Sequence, residues 1–123
     1  MIVHLVSFSY RYGIPSDADV IMDVRFLPNP YFVEELKDLD GRDGRVKEFV
    51  LNKEETREFL ARFENLLNFL IPSYLREGKT YLTIAIGCTG GKHRSVAIVD
   101  FLADKISFER CILKKRYRDI EKQ

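Results

Sequence analysis

Runs of apolar residues predict four strands along the chain. Residues 1–10 (MIVHLVSFSY) and 20–26 (VIMDVRF) are rich in β-favouring side chains, and the prolines within 27–30 must end the second run. Residues 80–86 (TYLTIAI) form a nearly continuous apolar stretch, which is typical of a buried strand. Residues 108–113 predict a last strand.

Apolar residues at three- and four-residue spacing predict two helices. The clearer helix covers residues 52–78, with Asn52 as its N-cap and Gly78 as its stop. Pro72 lies inside this stretch and is expected to kink or split the helix. Residues 94–106 show the same spacing and predict a second helix.

Strands and helices alternate along the chain, and the long predicted helix joins two strands. Between them, residues 31–36 predict one or two helical turns, and the Asp-Gly pairs at 40–41 and 43–44 are expected to break them. This order predicts an α/β fold, a mostly parallel sheet of four or five strands flanked by helices. The length predicts a single domain over residues 1–123.

Composition and charge narrow the functional classes. With 20 basic and 19 acidic residues, the bulk charge argues against a strongly basic nucleic-acid binder, and 46% apolar residues argue against a disordered chain. No apolar run approaches the roughly 18 residues of a membrane span, and no signal peptide is evident. Two cysteines are too few for a disulfide framework, which predicts a reducing, cytoplasmic location.

A glycine-rich basic segment between the third strand and the second helix predicts an anion site. Its glycines let backbone amides turn inward, and the following helix offers a positive dipole end. The segment is one residue too short for the GxxxxGK motif of nucleotide hydrolases. A plain strand-to-helix turn with exposed cations is the alternative. The predicted phosphate-binding loop consists of Cys88, Thr89, Gly90, Gly91, Lys92, His93, Arg94 and Ser95.

The same segment matches the C-x5-R-S signature of cysteine-dependent phosphatases, from Cys88 through Arg94 to Ser95. A helix N-terminus and neighbouring cations lower a thiol pKa, so a nucleophilic Cys88 is chemically coherent, with Asp17 or Asp23 as the acid. No acidic loop of clear sequence type supports that role. We therefore expect Cys88 to contact a ligand without reacting. A small apolar residue at a strand end is the third interpretation.

Polar residues follow the ends of the three clearest strands, where ligands bind in parallel sheets. Asp23 and Arg25 are two apart on a predicted strand and would face one side, as ligand groups or as an ion pair. Tyr10, Tyr12 and Tyr31 are candidates to cover a ligand. Two histidines and two cysteines without close spacing predict no metal site, and no cofactor is expected.

Positive charge concentrates near the end of the chain. Residues 105–123 contain seven basic and three acidic residues, whereas residues 1–104 are mildly acidic. Such a segment favours salt-sensitive contact with RNA, and a solvated face of a last strand or helix is the alternative. The predicted RNA contacts are Lys114, Lys115, Arg116, Arg118 and Lys122.

Four runs in fixed order resemble the C-terminal domain of the RNase adapter protein RapZ family. They are SFSYRYGIP (7–15), DAD (17–19), DVRFLPNPY (23–31) and YLTIAIGCTGGKHRS (81–95). The similarity covers nearly the whole chain, although Ser9 stands where the family usually has glycine. The N-terminal P-loop domain of that family has no counterpart in these residues, so hydrolysis of ATP or GTP is not expected of them.

The resemblance implies an α/β unit similar to a subdomain of phosphofructokinase. It implies binding of glucosamine-6-phosphate and small RNA, and assembly into a homo-oligomer. We therefore expect a sensor for a phosphorylated or nucleotide-linked amino sugar, which is also an RNA adapter, rather than an enzyme. A cysteine-dependent phosphatase and a purely RNA-binding adapter are the alternatives. Beyond the loop, the expected ligand residues are Arg11, Asp23, Arg25 and Tyr31.

Overall fold

Four strands pair into one sheet in which every neighbouring pair is parallel. The structure, a computed structural model, describes residues 1–122. The predicted α/β class with its parallel sheet is confirmed. The strands are β1 (Ile2–Ser9), β2 (Val20–Asp23), β3 (Tyr81–Cys88) and β4 (Ile112–Tyr117), ordered β2-β3-β1-β4 across the sheet. The helices are α1 (Gly44–Leu51), α2 (Glu54–Glu77) and α3 (Arg94–Lys105), with 3₁₀ turns at Tyr10–Tyr12 and Pro30–Phe32.

The strand register brings three carboxyl ends to one edge of the sheet. Ser9 of β1 lies beside Cys88 of β3, and Asp23 of β2 lies beside Gly87. Because all these strands are parallel, the segments that follow them meet at this edge. The shared edge that the sequence predicts is therefore present.

The main core lies between one face of the sheet and helices α2 and α3. Successive strand side chains alternate between faces, so β1 and β3 each contribute every second residue to this core. Each such side chain stabilises the fold by about 1.5–3 kcal/mol relative to an exposed one. Its buried residues include Val3, Leu5, Leu82, Ile84 and Ile86 from the sheet, Leu60, Phe63, Leu67 and Ile71 from α2, and Ile98, Val99 and Leu102 from α3.

Helix α1 was not predicted. It begins after Asp43, whose side chain accepts a hydrogen bond from the Arg45 amide. Val46 and Val50 are fully buried and pack with Ala97 of α3. The second Asp-Gly pair is therefore a helix start and not a break. Eight residues are too few to display a clear helical period, so only the tertiary contact reveals this helix.

Several predicted boundaries are wrong. Asn52 ends α1 instead of capping α2, which begins two residues later. Helix α2 is not split at Pro72, since Ile71 and the earlier turns are anchored in the core. Strand β2 ends at Asp23, three residues early, because a turn follows at once.

The last strand begins later than predicted. Strand β4 starts at Ile112 and extends through the charged residues to Tyr117, rather than covering 108–113. It pairs with residues 2–7 of β1 at the edge of the sheet. An edge strand tolerates charged side chains, which a central strand would not.

None of the helices within residues 1–122 combines the length and hydropathy that a membrane crossing requires.

Candidate functional site

A cavity of about 700 Å³ lies at the carboxyl edge of the sheet. The predicted phosphate-binding loop forms one side of it. The turn after β1, the segment before α1 and the residues after β4 form the rest, because all three lie at this edge. The lining residues from the loop are Cys88, Thr89, Gly90, Lys92, His93 and Arg94, and the others are Arg11, Tyr12, Asn29, Tyr31, Phe32, Lys37, Asp38, Leu39, Asp40, Ile120 and Lys122.

The loop is held against the end of β1. Gly91 has a φ of 69°, and a Cβ there would lie 2.9 Å from the Ser9 Cβ, so only glycine fits. The Ser9 hydroxyl donates a hydrogen bond of 2.6 Å to the Thr89 carbonyl and accepts one from the Arg11 amide. Ser9 therefore ties the loop to the segment that follows β1.

Helix α3 points its N-terminus at the loop without a capping side chain. His93 occupies the N-cap position and makes no side-chain hydrogen bond to the first turn. The Ser95 amide donates a hydrogen bond of 3.5 Å, an ordinary length for sulfur, to the Cys88 Sγ. The amides of a helix N-terminus and its positive dipole end favour an anion.

Arg94 is 4% exposed and still lines the cavity. Its Nη1 donates hydrogen bonds to the carbonyls of Arg25 (2.6 Å) and Leu27 (3.1 Å). Its Nε has no partner among residues 1–122. Burial lowers the pKa of the guanidinium, which nevertheless remains a cation at neutral pH. Arg94 therefore anchors the turn after β2, a role the sequence did not reveal, and keeps a donor unpaired in a buried position.

Cys88 and Ser95 meet as the C-x5-R-S spacing suggests. The sulfur lies 3.1 Å from the Ser95 hydroxyl, and Cys88 is only 2% exposed. Both side chains are buried at the base of the loop, where the pair joins the end of β3 to the start of α3.

His93 connects the loop to the segment before α1. Its Nε2 lies 3.2 Å from the Lys37 carbonyl, and burial lowers the pKa of the imidazole, so the ring is neutral at pH 7. The Gly41 amide donates a 2.6 Å hydrogen bond to the Lys92 carbonyl. The cavity wall at 37–41 is thus fixed to the phosphate-binding loop by one side-chain contact and one backbone hydrogen bond.

Asp23 and Arg25 are near this edge but do not line the cavity. They form an ion pair of 2.7 Å, and the hydrogen bond from Arg25 holds the Asp23 pKa below its usual value. Arg25 lies past the end of β2 and stacks on the Tyr10 ring, so the predicted placement of both residues on one strand is wrong. Of the four predicted ligand residues outside the loop, Arg11 and Tyr31 line the cavity.

The basic residues near the end of the chain differ in whether they form ion pairs. Lys115 forms an ion pair with Asp100 of α3, and both Arg118 and Lys122 form ion pairs with Asp119. In the part of the chain that the structure describes, Lys114 and Arg116 are exposed and form no ion pair. Lys122 also lines the cavity.

Sequence reasoning missed part of the wall. These residues lie in irregular segments before α1 and after β4, where no period or motif distinguishes them. Only the return of both segments to the carboxyl edge brings them to the loop. They are Asn29, Phe32, Lys37, Asp38, Leu39, Asp40 and Ile120.

Comparison with known proteins agrees with this architecture. The family model described as RapZ C-terminal domain matches residues 1–121, and the chain belongs to this family. It is 56% identical over 122 residues to a protein of Geotalea daltonii and 59% identical over 122 residues to one of Geobacter metallireducens. A protein of Ruminiclostridium cellulolyticum is 50% identical over 122 residues. All three are named "Nucleotide-binding protein". The matches cover 99% of this chain but only 42–43% of those longer proteins.

Proposed function

We propose that this member of the RapZ C-terminal domain family binds a small phosphorylated molecule at the carboxyl edge of its sheet, as a regulatory binding module. The proposed ligand is an amino-sugar phosphate of the glucosamine-6-phosphate type, which family membership suggests, or its nucleotide-linked form. The name of the relatives, nucleotide-binding protein, is compatible with a phosphorylated ligand.

Arg94 supports this proposal most strongly, because its nearly buried guanidinium lines the cavity and its Nη2 makes only a 3.5 Å contact, to the Thr89 hydroxyl. A guanidinium N–H with so long a contact gains a charge-assisted hydrogen bond when a ligand oxygen approaches it. The same place offers the uncapped N-terminus of α3 and the loop around Gly91. A phosphate has the charge and the several acceptor oxygens that this donor set requires.

The size of the cavity also suits the proposed ligand. About 700 Å³ is within the range of roughly 300–1,000 Å³ found for small-molecule sites. Aromatic rings at its rim, Tyr12, Tyr31 and Phe32, could cover a sugar ring. Lys92 adds a partly exposed ammonium group that forms no ion pair among the described residues.

Titration calorimetry with glucosamine-6-phosphate tests the proposal. Arg94→Ala removes a charge-assisted contact of about 1.5–3 kcal/mol and should weaken binding roughly 10- to 150-fold. Because Arg94 also anchors the turn after β2, Lys92→Ala serves as a second variant and should weaken binding without unfolding. Arg62→Ala, on the far side of α2 with its Glu58 partner, is the matched control. Unchanged affinity in folded Arg94 and Lys92 variants would refute the site.

A cysteine-dependent phosphatase gains no support. Cys88 is only 2% exposed, and the relatives above are not named as phosphatases. We expect the purified chain not to hydrolyse an activated aryl phosphate. Robust turnover that Cys88→Ser abolishes would establish the phosphatase instead.

Contact with single-stranded RNA is a second candidate function, on the sheet face opposite the main core. His4 and Tyr81 stack there with ring centroids 6.1 Å apart, and Tyr81 is 58% exposed. Lys114 is in register with His4, and Arg116 with Val6, so both cations share this face. An exposed tyrosine ring beside unpaired cations favours unstacked nucleotides. The RNA contacts predicted from charge thus narrow to Lys114 and Arg116.

We also propose that the chain assembles into a homo-oligomer and that it is located in the cytoplasm. Phe26, Leu66 and Phe69 are large apolar side chains exposed by 43–68%, which favours burial against a second copy. Sedimentation equilibrium of the purified chain reports its mass directly. Both cysteines are free thiols, which supports a reducing compartment.

A further inference from the structure

Two carboxylates line the cavity, and they differ in their partners. Asp40 accepts hydrogen bonds from the Arg42 amide at 2.8 Å, from its Nε at 3.0 Å and from its Nη2 at 2.8 Å. These contacts hold the pKa of Asp40 below its usual value. Asp38 lines the cavity and is exposed, and its carboxylate makes no hydrogen bond or ion pair with any of residues 1–122. Asp38 is therefore the carboxylate of this wall that is available to a ligand.

The charges of the other lining residues indicate which kind of ligand the Asp38 carboxylate would contact. The other charged groups at the cavity are mostly cations, among them Arg11, Lys92 and Arg94, and none of them pairs with Asp38. A cavity with donors for an anion on one side and a free carboxylate on another complements a zwitterion. A molecule with one phosphate and one ammonium group has this pattern of charge.

We infer that Asp38 is the residue that selects an amino-sugar phosphate over a neutral sugar phosphate, by accepting a hydrogen bond from the ligand's ammonium group. This inference rests on the proposed function, because it requires the phosphate to occupy the loop. A hydroxyl in place of the ammonium group would also donate to Asp38, but without the opposite charge that strengthens the contact. The sequence offered no indication of this role, since Asp38 lies in an irregular segment.

The expected discrimination is modest because Asp38 is exposed to solvent. A charge-assisted contact at a screened position should favour glucosamine-6-phosphate over glucose-6-phosphate by about 3- to 30-fold. Asp38→Asn keeps the size and an acceptor oxygen but removes the charge. That variant should bind the two sugar phosphates nearly equally, and its affinity for glucose-6-phosphate should change less than about 2-fold.

Calorimetric titration of the whole chain with both sugar phosphates and with inorganic phosphate tests this assignment. Glu35→Gln is the matched control, because Glu35 is an exposed acid of the same segment that does not line the cavity. Loss of the preference in Asp38→Asn alone supports the assignment. Binding of both sugar phosphates without a preference, or a preference that survives Asp38→Asn, overturns it while the proposed function stands. Absence of binding by all three probes overturns both.

Discussion

Asp119 shows how one buried carboxylate organises the functional edge. It is fully buried and accepts a 2.7 Å hydrogen bond from the Ser9 amide, the residue that also holds the Thr89 carbonyl. Burial raises its pKa, but the hydrogen bonds from Arg118, Lys122 and the Ser9 amide outweigh that effect and hold the pKa at about 2. The residues after β4 are thereby fastened beside the phosphate-binding loop.

This contact makes a pH-dependent contribution to stability. Because the folded-state pKa lies below the ordinary value of 3.8, the contribution is complete above about pH 4 and is lost as the pH falls toward 2. The difference corresponds to about 2 kcal/mol. Asp119→Asn should lower the free energy of urea unfolding by about that amount at pH 7 and flatten its fall between pH 4 and 2. Glu121→Gln, an exposed neighbour, should behave like the parent chain; equal pH profiles for parent and Asp119→Asn would contradict the assignment.

Individual side chains also join elements that are distant in sequence. Asp100 of α3 accepts hydrogen bonds from Lys115 and Tyr117 of β4 and pairs with Lys47 of α1 at 2.9 Å. Burial raises the Asp100 pKa, but these partners lower it overall. One carboxylate therefore holds an edge strand and a short helix against α3, which explains why charged residues occupy β4.

At the scale of elements, the close approach of the 37–41 wall to α3 determines the shape of the cavity. A Cβ on Gly41 would lie 2.4 Å from the His93 carbonyl oxygen and 2.7 Å from the Ala97 amide nitrogen. Both are backbone atoms that cannot move aside without displacing α3. Glycine at position 41 is therefore a requirement of packing rather than of a turn.

Gly41→Ala should destabilise the chain by about 1–3 kcal/mol and weaken sugar-phosphate binding, because the wall must move away from the loop. Gly44→Ala is the control, since a Cβ there meets nothing within 4 Å and position 44 begins α1. It should be neutral or slightly stabilising. Thermal unfolding and calorimetry of both variants measure these effects, and equal stability of the two would show that the wall accommodates the methyl group.

At the scale of the whole molecule, the net charge is close to zero, so RNA binding must depend on a local cluster of positive charge on the surface. The chain has 20 basic and 19 acidic residues, so only a patch of unpaired cations attracts phosphates. Lys114 and Arg116 form such a patch on the sheet face that also exposes Tyr81. The cavity opens at the edge of the sheet instead, so the two proposed ligands occupy different surfaces.

Charge reversal of this patch tests the RNA proposal. The double variant Lys114→Glu and Arg116→Glu should weaken binding of a single-stranded oligonucleotide and reduce the slope of log K against log salt by about 0.7 per lost phosphate contact. The same charge change at Arg62 and Arg76 on α2 is the control. Filter binding measures both slopes between roughly 50 and 200 mM salt, a range over which affinities that depend on phosphate contacts change strongly. Identical slopes for the two double variants would remove this face from the proposal.

Local patterns determined much of this molecule. β1, β3, α3 and the loop 87–95 follow from runs of apolar residues, helical spacing and adjacent glycines, all of which act over a few residues. The shared carboxyl edge followed as well, because parallel pairing is the usual outcome when strands and helices alternate. The family resemblance was visible in the same segments, and the whole-chain match bears it out.

Only the tertiary structure decided the partners of the charged groups and the composition of the cavity wall. Arg94 bonds to carbonyls about seventy residues earlier, Lys115 pairs with Asp100 on a different element, and Asp38 lines the cavity from a segment without a period. Helix α1 exists because Val46 and Val50 meet Ala97. These contacts join residues far apart in the chain, and side-chain partners depend on distances that no local pattern of apolar and polar positions encodes.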